Sequence, residues 1–257
     1  MKTGQDRNDA ILRTENLRKY FGEVHAVDDI SLSVRQGELV SIIGPNGSGK
    51  TTLINLISGL VESDSGRVFL KGEDVTNSDP HTISKMGLAR SFQIVNIFDG
   101  LTALDNLRVA HSSRLGRSNN VLRNLEDDDE IKKDAVDLLS LFGLLERADV
   151  LAGQLPHGDR KLLDVAICFA LRPEVVLLDE PTSGVSTSEK TRIMDQITSA
   201  GRKDKVTAVI VEHDMDVVFS YSDRVVAMHR GRVLAEGTPE EIKASQEVRS
   251  AITGEIR

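Results

Sequence analysis

The sequence predicts an α/β fold organised on a mostly parallel sheet, and three observations predict it. Leu39 to Ile43 is an apolar run that ends in glycine and is followed by residues with helical periodicity. Val175 to Leu178 and Thr207 to Val211 are two further short apolar runs, the pattern of strands buried on both faces. Ser188 to Gly201 lies between those two and reads as a helix, so strand and helix alternate.

The elements follow in order. Ile30, Leu32 and Val34 alternate with serines and predict a half-buried strand. Beyond the strand at Leu39–Ile43, Leu53, Leu56, Ile57 and Leu60 recur at i, i+3, i+4 and i+7, one face of a helix. Val68 to Thr76 reads as a hairpin arm turning at Lys71-Gly72. From about Pro80 to Arg172 the pattern becomes helical. Ile131, Ala135, Leu138, Leu139 and Phe142 mark an amphipathic helix there. The acidic run Glu126 to Glu130 before it suits the positive end of the helix dipole, which favours a solvated cap over a metal site. Val225–Met228 and Arg232–Ala235 flank Arg230-Gly231 as a hairpin. Thr238 and Glu241 then form a capping box, with Pro239 at the first helical position.

Composition bounds the function. The 257 residues are enough for one large domain or two small ones, 39% hydrophobic and 28% charged. A net charge of −8 disfavours non-specific binding to nucleic-acid phosphates, so no nucleic-acid partner is expected. The single cysteine, Cys168, sits in the apolar run Val165 to Leu171 and reads as a small buried hydrophobe. Met1 to Ala10 has no apolar segment of the secretory kind. No apolar run approaches the ~20 residues that cross a bilayer, so no direct membrane span is expected, and work at a membrane requires docking on a spanning partner.

The chemistry is concentrated in two motifs. Gly44-Pro45-Asn46-Gly47-Ser48-Gly49-Lys50-Thr51, followed by Thr52, matches G-x-x-x-x-G-K-[ST] completely, with a strand before it and a helix after it. Glycines let successive backbone N–H groups curl inward onto phosphate oxygens, and the following helix adds the positive end of its dipole. Lys50 is expected on the β- and γ-phosphates and the Thr51 hydroxyl on Mg²⁺. The second motif is Val175-Val176-Leu177-Leu178-Asp179-Glu180, an apolar strand ending in two carboxylates. Asp179 is placed to reach the same Mg²⁺, and Glu180 to polarise an attacking water.

With both motifs in this order, the chain resembles the ABC ATPase family over nearly its whole length. The resemblance implies a P-loop NTPase (RecA-like) core with an antiparallel β subdomain and an inserted α-helical subdomain. It implies a single domain over residues 10–257, with 10–95 and 173–257 as the ATP-binding core and 96–172 as the helical part. ATP and Mg²⁺ are the implied cofactors. Phe21 matches the aromatic that stacks on adenine, with Tyr20 as runner-up and plain core as the alternative. Gln93 in Ser91-Phe92-Gln93 matches the Q-loop glutamine that joins Mg²⁺ and the attacking water to the membrane partner. Leu155-Pro156-His157-Gly158-Asp159 stands where the signature L-S-G-G-Q stands, the segment that closes the partner's ATP site. Thr182 to Ser186 is the D-loop, and His213 matches the switch histidine on the γ-phosphate. His25, His81, His111 and His229 show no metal-ligand pattern and are given no role.

Within the family, Gly87 to Gln93 and the tail Glu236 to Ile242 resemble ATP-binding subunits of branched-chain amino acid importers and their urea or amide relatives, as does the insertion between Leu107 and Lys132. The implied partners are transmembrane permease subunits and a second ATPase subunit, at the cytoplasmic face of the plasma membrane. Two other readings compete: a regulatory ATP-binding module with little turnover, and a non-transport ABC protein. Glu180 and His213 argue against the first. A single P-loop without sustained heptads argues against the second.

The signature departs from the family. Pro156 replaces the serine and supplies neither hydroxyl nor N–H. A hydrogen bond to a charged group is worth about 1.5–3 kcal/mol, so the site built on the partner's P-loop is weakened and not the one built on Lys50 and Glu180. Asp159 replaces glutamine and is expected to add negative charge near a phosphate. Ser186 replaces the usual D-loop aspartate. Intact motifs beside a defective signature predict an asymmetric heterodimer.

Overall fold

The structure is a computed structural model and describes residues 10–91, 97–115 and 129–253. The amino-terminal part holds β1 (Ala10–Phe21), β2 (Val24–Ile30), β3 (Ser33–Arg35), β4 (Leu39–Ile43), α1 (Lys50–Ile57), β5 (Ser65–Leu70), β6 (Glu73–Asp74), α2 (Pro80–Lys85) and β7 (Leu88–Arg90). A helical stretch follows with α3 (Ala103–Arg114), α4 (Asp129–Leu141), single 3₁₀ turns at Leu145–Arg147 and Ala152–Gln154, and α5 (His157–Ala170). The remainder holds β8 (Val175–Asp179), α6 (Thr187–Asp204), β9 (Thr207–Val211), α7 (Met215–Tyr221), β10 (Arg224–His229), β11 (Arg232–Gly237), α8 (Pro239–Ala244) and α9 (Gln246–Thr253).

Two sheets organise these elements. One is antiparallel, in the order β2-β1-β5-β6 with β3 also on β1. The other has the order β11-β10-β4-β9-β8-β7 and is parallel except for the β10–β11 hairpin. Its central strands are buried on both faces, and their side chains alternate between two cores. Val175, Leu177, Val209, Val211, Val40 and Ile42 pack toward the antiparallel sheet and α1. Val176, Leu178, Ala208 and Ile210 pack toward Leu107, Leu139, Phe142, Leu162 and Ile197 of the helices. The apolar runs thus read as continuous because both faces of each strand are covered.

Local differences from the sequence reading have physical causes. Leu60 does not complete the face of α1: the helix ends at Ile57 and Leu60 is exposed. Gly59 turns the chain there at φ +73°, in a position where a Cβ would stand 2.4 Å from the Ser78 carbonyl. Ile30, Leu32 and Val34 are all buried, yet they divide between β2 and β3, because Asp29 adopts φ +65° and Leu32 instead exchanges backbone hydrogen bonds with Thr14. The predicted hairpin turn is present, with Lys71 and Gly72 both at positive φ as a two-residue type I′ connection requires. The acidic run begins α4 at Asp129 and Glu130; Glu126 to Asp128 lie outside the described residues.

Candidate functional site

The parallel strands β4, β9 and β8 are neighbours, so the loops at their carboxyl ends meet at one edge, where open α/β sheets place ligands. Residues Gly44 to Thr51 follow β4. A Cβ on Gly44 (φ +151°) would stand 2.2 Å from the Met228 carbonyl oxygen, and one on Gly49 (φ +100°) 2.0 Å from that of Ala26, so neither position admits a side chain. Asn46, Gly47 and Thr51 are exposed, while Pro45 and Thr52 are half-buried. Lys50 opens α1 and is 5% exposed. Its Nζ donates to the carbonyls of Gly44 (2.8 Å) and Pro45 (3.1 Å), which folds the ammonium over the loop. Burial pushes the Lys50 pKa down, and the charges of Glu180 and Asp179 pull it back up.

Asp179 closes β8 and is buried. Neither carboxylate oxygen accepts a hydrogen bond, although Arg90 Nη2 lies 3.6 Å from Oδ2. Burial raises the Asp179 pKa against the pull of Arg90. With Arg90 as an ion-pair partner but no hydrogen-bond donor on either oxygen, the buried carboxylate keeps unused acceptor capacity. Together with the exposed Thr51 hydroxyl, its oxygens are hard donors of the kind Mg²⁺ takes, so the residues present fit that ion.

Glu180 follows at φ +52°, a left-handed conformation that costs a side-chain-bearing residue roughly 1–2 kcal/mol. Backbone bonds hold it there: its N–H donates to Val211 O (2.9 Å) and its carbonyl accepts from Ser183 N (3.1 Å). Glu180 Oε1 stands 2.8 Å from Nε2 of His213, the second residue after β9. The carboxylate and the imidazole therefore form an acid–base pair.

Sequence reasoning missed three residues here. Glu212, 3% exposed, accepts from the N–H and hydroxyl of Thr182 with one oxygen (3.0 and 2.8 Å) and from His213 N with the other (3.2 Å). It ties the segment after Glu180 to the segment carrying the imidazole. Arg90 places a buried cation beside Asp179, and its Nη1 also donates to Asn55 of α1 and to Ser58, the residue that caps that helix. Lys161 of α5 donates to the Glu180 carbonyl (3.2 Å) and to Ser183 Oγ (3.1 Å). The acid adjoining a histidine was the one available signal for Glu212. Nothing local marked the other two, because their partners lie far away in sequence.

The remaining candidates fall elsewhere. Phe21 ends β1 and is 52% exposed, with Lys19 Nζ 5.5 Å from its ring centre, while Tyr20 is committed to a stack on His25 (4.0 Å, 17°) and a hydrogen bond to Asp28 (2.8 Å), so Phe21 is the more accessible aromatic. Gln93 lies outside the described residues. Leu155 to Asp159 lead into α5. Pro156 is its N-cap, at φ −53° and ψ 154° and without a side-chain cap, and it is exposed along with His157. Among the described residues no hydrogen bond or ion pair joins this segment to Gly44–Thr52. The expected negative charge at Asp159 is corrected. Its carboxylate turns inward, 6% exposed, hydrogen-bonded to Arg192 Nη1 (2.9 Å) and 3.6 Å from Arg147 Nε. Ser186 caps α6 through a box with Glu189. A 440 Å³ cavity lined by His111, Asp134, Arg172 and Lys203 contains none of these residues.

Comparison with known proteins adds a consistent picture. Residues 27–183 match the family described as ABC transporter. The chain is 36% identical over 234 residues to a probable branched-chain amino acid transport ATP-binding protein LivG of Methanocaldococcus jannaschii, covering 90% of this chain and 91% of that one. It is 35% identical over 252 residues to the high-affinity branched-chain amino acid transport ATP-binding protein BraF of Pseudomonas aeruginosa, covering 95% and 98%. Among solved structures it is similar to the ADP conformation of MJ1267, an ATP-binding cassette of an ABC transporter, with a TM-score of 0.81 and 33% identity over 95% of both chains. It is also similar to CbiO1 of Clostridium perfringens, part of an ABC transporter complex, with a TM-score of 0.80 and 28% identity over 96% and 100%.

Proposed function

The chain belongs to the ABC transporter family as one of its ATP-binding, ATP-hydrolysing members, and from that premise we propose that it drives the uptake of branched-chain amino acids or a related small polar solute through permease subunits on other polypeptides. One observation carries the reading: Lys50, Asp179 and the Glu180–His213 pair meet at the ends of three adjacent parallel strands.

In this reading residues 10–95 and 173–257 form the nucleotide-binding core and 96–172 the helical part. Gly44 to Thr52 cradles the phosphates, and Phe21 offers its exposed ring to the adenine. Lys50 leaves the Gly44 and Pro45 carbonyls for the β- and γ-phosphates. Glu180 accepts a proton from the water that attacks the γ-phosphate in line, and His213 holds that carboxylate and the γ-phosphate in register. Asp179, Thr51 and Gln93 are the residues that would hold Mg²⁺, which when bound neutralises charge developing on the phosphate oxygens.

Pro156 supports an asymmetric assembly. This chain's own ATP is completed by the signature of a second, different ATPase subunit, while Leu155 to Asp159 offers that subunit's ATP a site without a serine hydroxyl. Among the described residues no helix is long and apolar enough to cross a membrane. In this reading the chain attaches peripherally, at the cytoplasmic face, through the permeases. The test is reconstitution in liposomes with the permeases and partner ATPase, reading ATP hydrolysis and uptake of labelled leucine. ATP-dependent uptake that vanishes when Glu180→Gln is introduced is the expected result. Hydrolysis by the assembly with no solute movement would refute the importer reading.

A further inference from the structure

We propose that Lys161 is a positioning residue that links the signature segment of this chain to the attack geometry of its own Glu180, so that what the partner's nucleotide does to α5 is felt at this chain's catalytic carboxylate. The inference rests on the reading of Glu180 as the base for the attacking water.

Lys161 is 6% exposed, in the second turn of α5, five residues after Pro156. A lysine is rarely placed so deep unless its protons are used. Its hydrogen bonds go to two neutral oxygens, the Glu180 carbonyl at 3.2 Å and Ser183 Oγ at 3.1 Å. The Glu180 backbone is strained at φ +52°, and such conformations persist only where their surroundings hold them. The N–H side is held by Val211 of β9, within the sheet. The carbonyl side is held by Ser183 of its own turn and by Lys161, and of these only Lys161 comes from the element that carries the signature. A displaced Nζ releases that carbonyl and lets the peptide rotate, which re-aims the carboxylate away from His213.

The same helix end also lies close to the turn after Glu180 and to α6. A Cβ on Gly158 would stand 2.6 Å from Glu189 Oε1, and one on Gly184 would stand 3.2 Å from His157 Nε2. Asp159 is bonded to Arg192 of α6. The segment 155–161 and the segment 180–192 thus touch at several points, and Lys161 is the residue of the first segment that bonds the Glu180 carbonyl.

The test uses the assembled transporter in liposomes. Lys161→Met keeps the apolar stem and removes the donor, and Lys161→Arg restores a cation of similar reach. The expected result for Lys161→Met is a kcat for ATP lowered ~10-fold or more with KM changed less than about twofold, and recovery of most of kcat in Lys161→Arg. Lys161→Gln, which keeps a polar but shorter group, carries the same expectation where the methionine variant does not fold. Wild-type kcat in the methionine or glutamine variant would overturn the proposal. So would a loss shared equally by ATP affinity and melting temperature and not rescued by arginine, since that is what a purely structural lysine gives. A wild-type assembly that hydrolyses no ATP would instead bring down the reading of Glu180, and this inference with it.

Discussion

Replacing Pro156 by serine separates two consequences of one residue. Pro156 caps α5 at φ −53° and ψ 154° with no side-chain hydrogen bond. Ser186 and Thr238, which do cap helices in this chain, sit at φ −67°, ψ 160° and φ −66°, ψ 160°, so a serine fits the same backbone without strain. A serine cap contributes about 0.5–2 kcal/mol through its bond to the third N–H of the helix. Losing the proline gives back about 0.4–1 kcal/mol by loosening the unfolded chain. The net change is about −0.5 to +1.6 kcal/mol, a shift of roughly −2 to +6 °C in melting temperature for a chain of this size. In the asymmetric assembly proposed above, the effect on turnover belongs to the other subunit's ATP. A regained hydroxyl facing a phosphate is worth about 1.5–3 kcal/mol, or ~10–150-fold if it acts in the transition state. The assay is ATP hydrolysis by the heterodimer with Glu180→Gln in this chain, so that the turnover observed arises at the partner's P-loop. An increase of ~10-fold or more with Pro156→Ser is expected. No increase, with melting unchanged or raised, would refute the assignment of Leu155 to Asp159 to the partner's site.

Four further outcomes are expected. Glu180→Gln keeps a group of the same shape beside His213 but removes the base, so kcat falls about 10²–10⁴-fold while ATP binding, read by equilibrium titration, persists. Arg192→Met strips a buried carboxylate of its hydrogen-bonded partner; because the arginine is partly exposed and Arg147 remains near, the loss is about 1–2 kcal/mol in denaturant unfolding, and Asp159→Asn in the same chain recovers part of it. The Cys168 thiol, buried and with its pKa pushed well up by desolvation, reacts with iodoacetamide in denaturant and not in the native chain over the same interval. Burial and a hydrogen bond to Asp195 push Tyr221 up to about 12. A folded pKa above the unfolded value of about 10 gives stability that is present below pH ~10 and lost as pH rises toward 12. Tyr221→Phe should therefore flatten the fall in melting temperature over that range, and an identical fall in both proteins would count against it.

What the sequence made legible follows the range of the forces involved. The parallel strands and the loop after β4 were readable because their signals are local: apolar runs, glycines where a Cβ has no room, and a lysine at a helix start. Glu180 is legible from its position at a strand end and His213 from the family resemblance, yet their 2.8 Å contact depends on β8 and β9 lying side by side. Leu60 and the divided strand at Ser31 were misread because a backbone turn, at Gly59 and at Asp29, overrode side-chain periodicity. Asp159 was misjudged for a related reason. The sequence shows a charge and not its direction, and Arg192 reaches it from 33 residues away.

The order of strands in the parallel sheet also sets when this protein becomes competent. Lys50 follows β4, whose two neighbours in the sheet are β9 and β10. During synthesis the cradle for phosphate emerges early. The strand that brings His213 is made more than 150 residues later, and it is the strand that lies between β4 and β8 with Asp179. A nascent or truncated chain thus has the lysine without its two carboxylates and imidazole. Tight retention of nucleotide therefore reports on folding, because the full set of groups around the ligand is assembled only after β9 has paired with both β4 and β8.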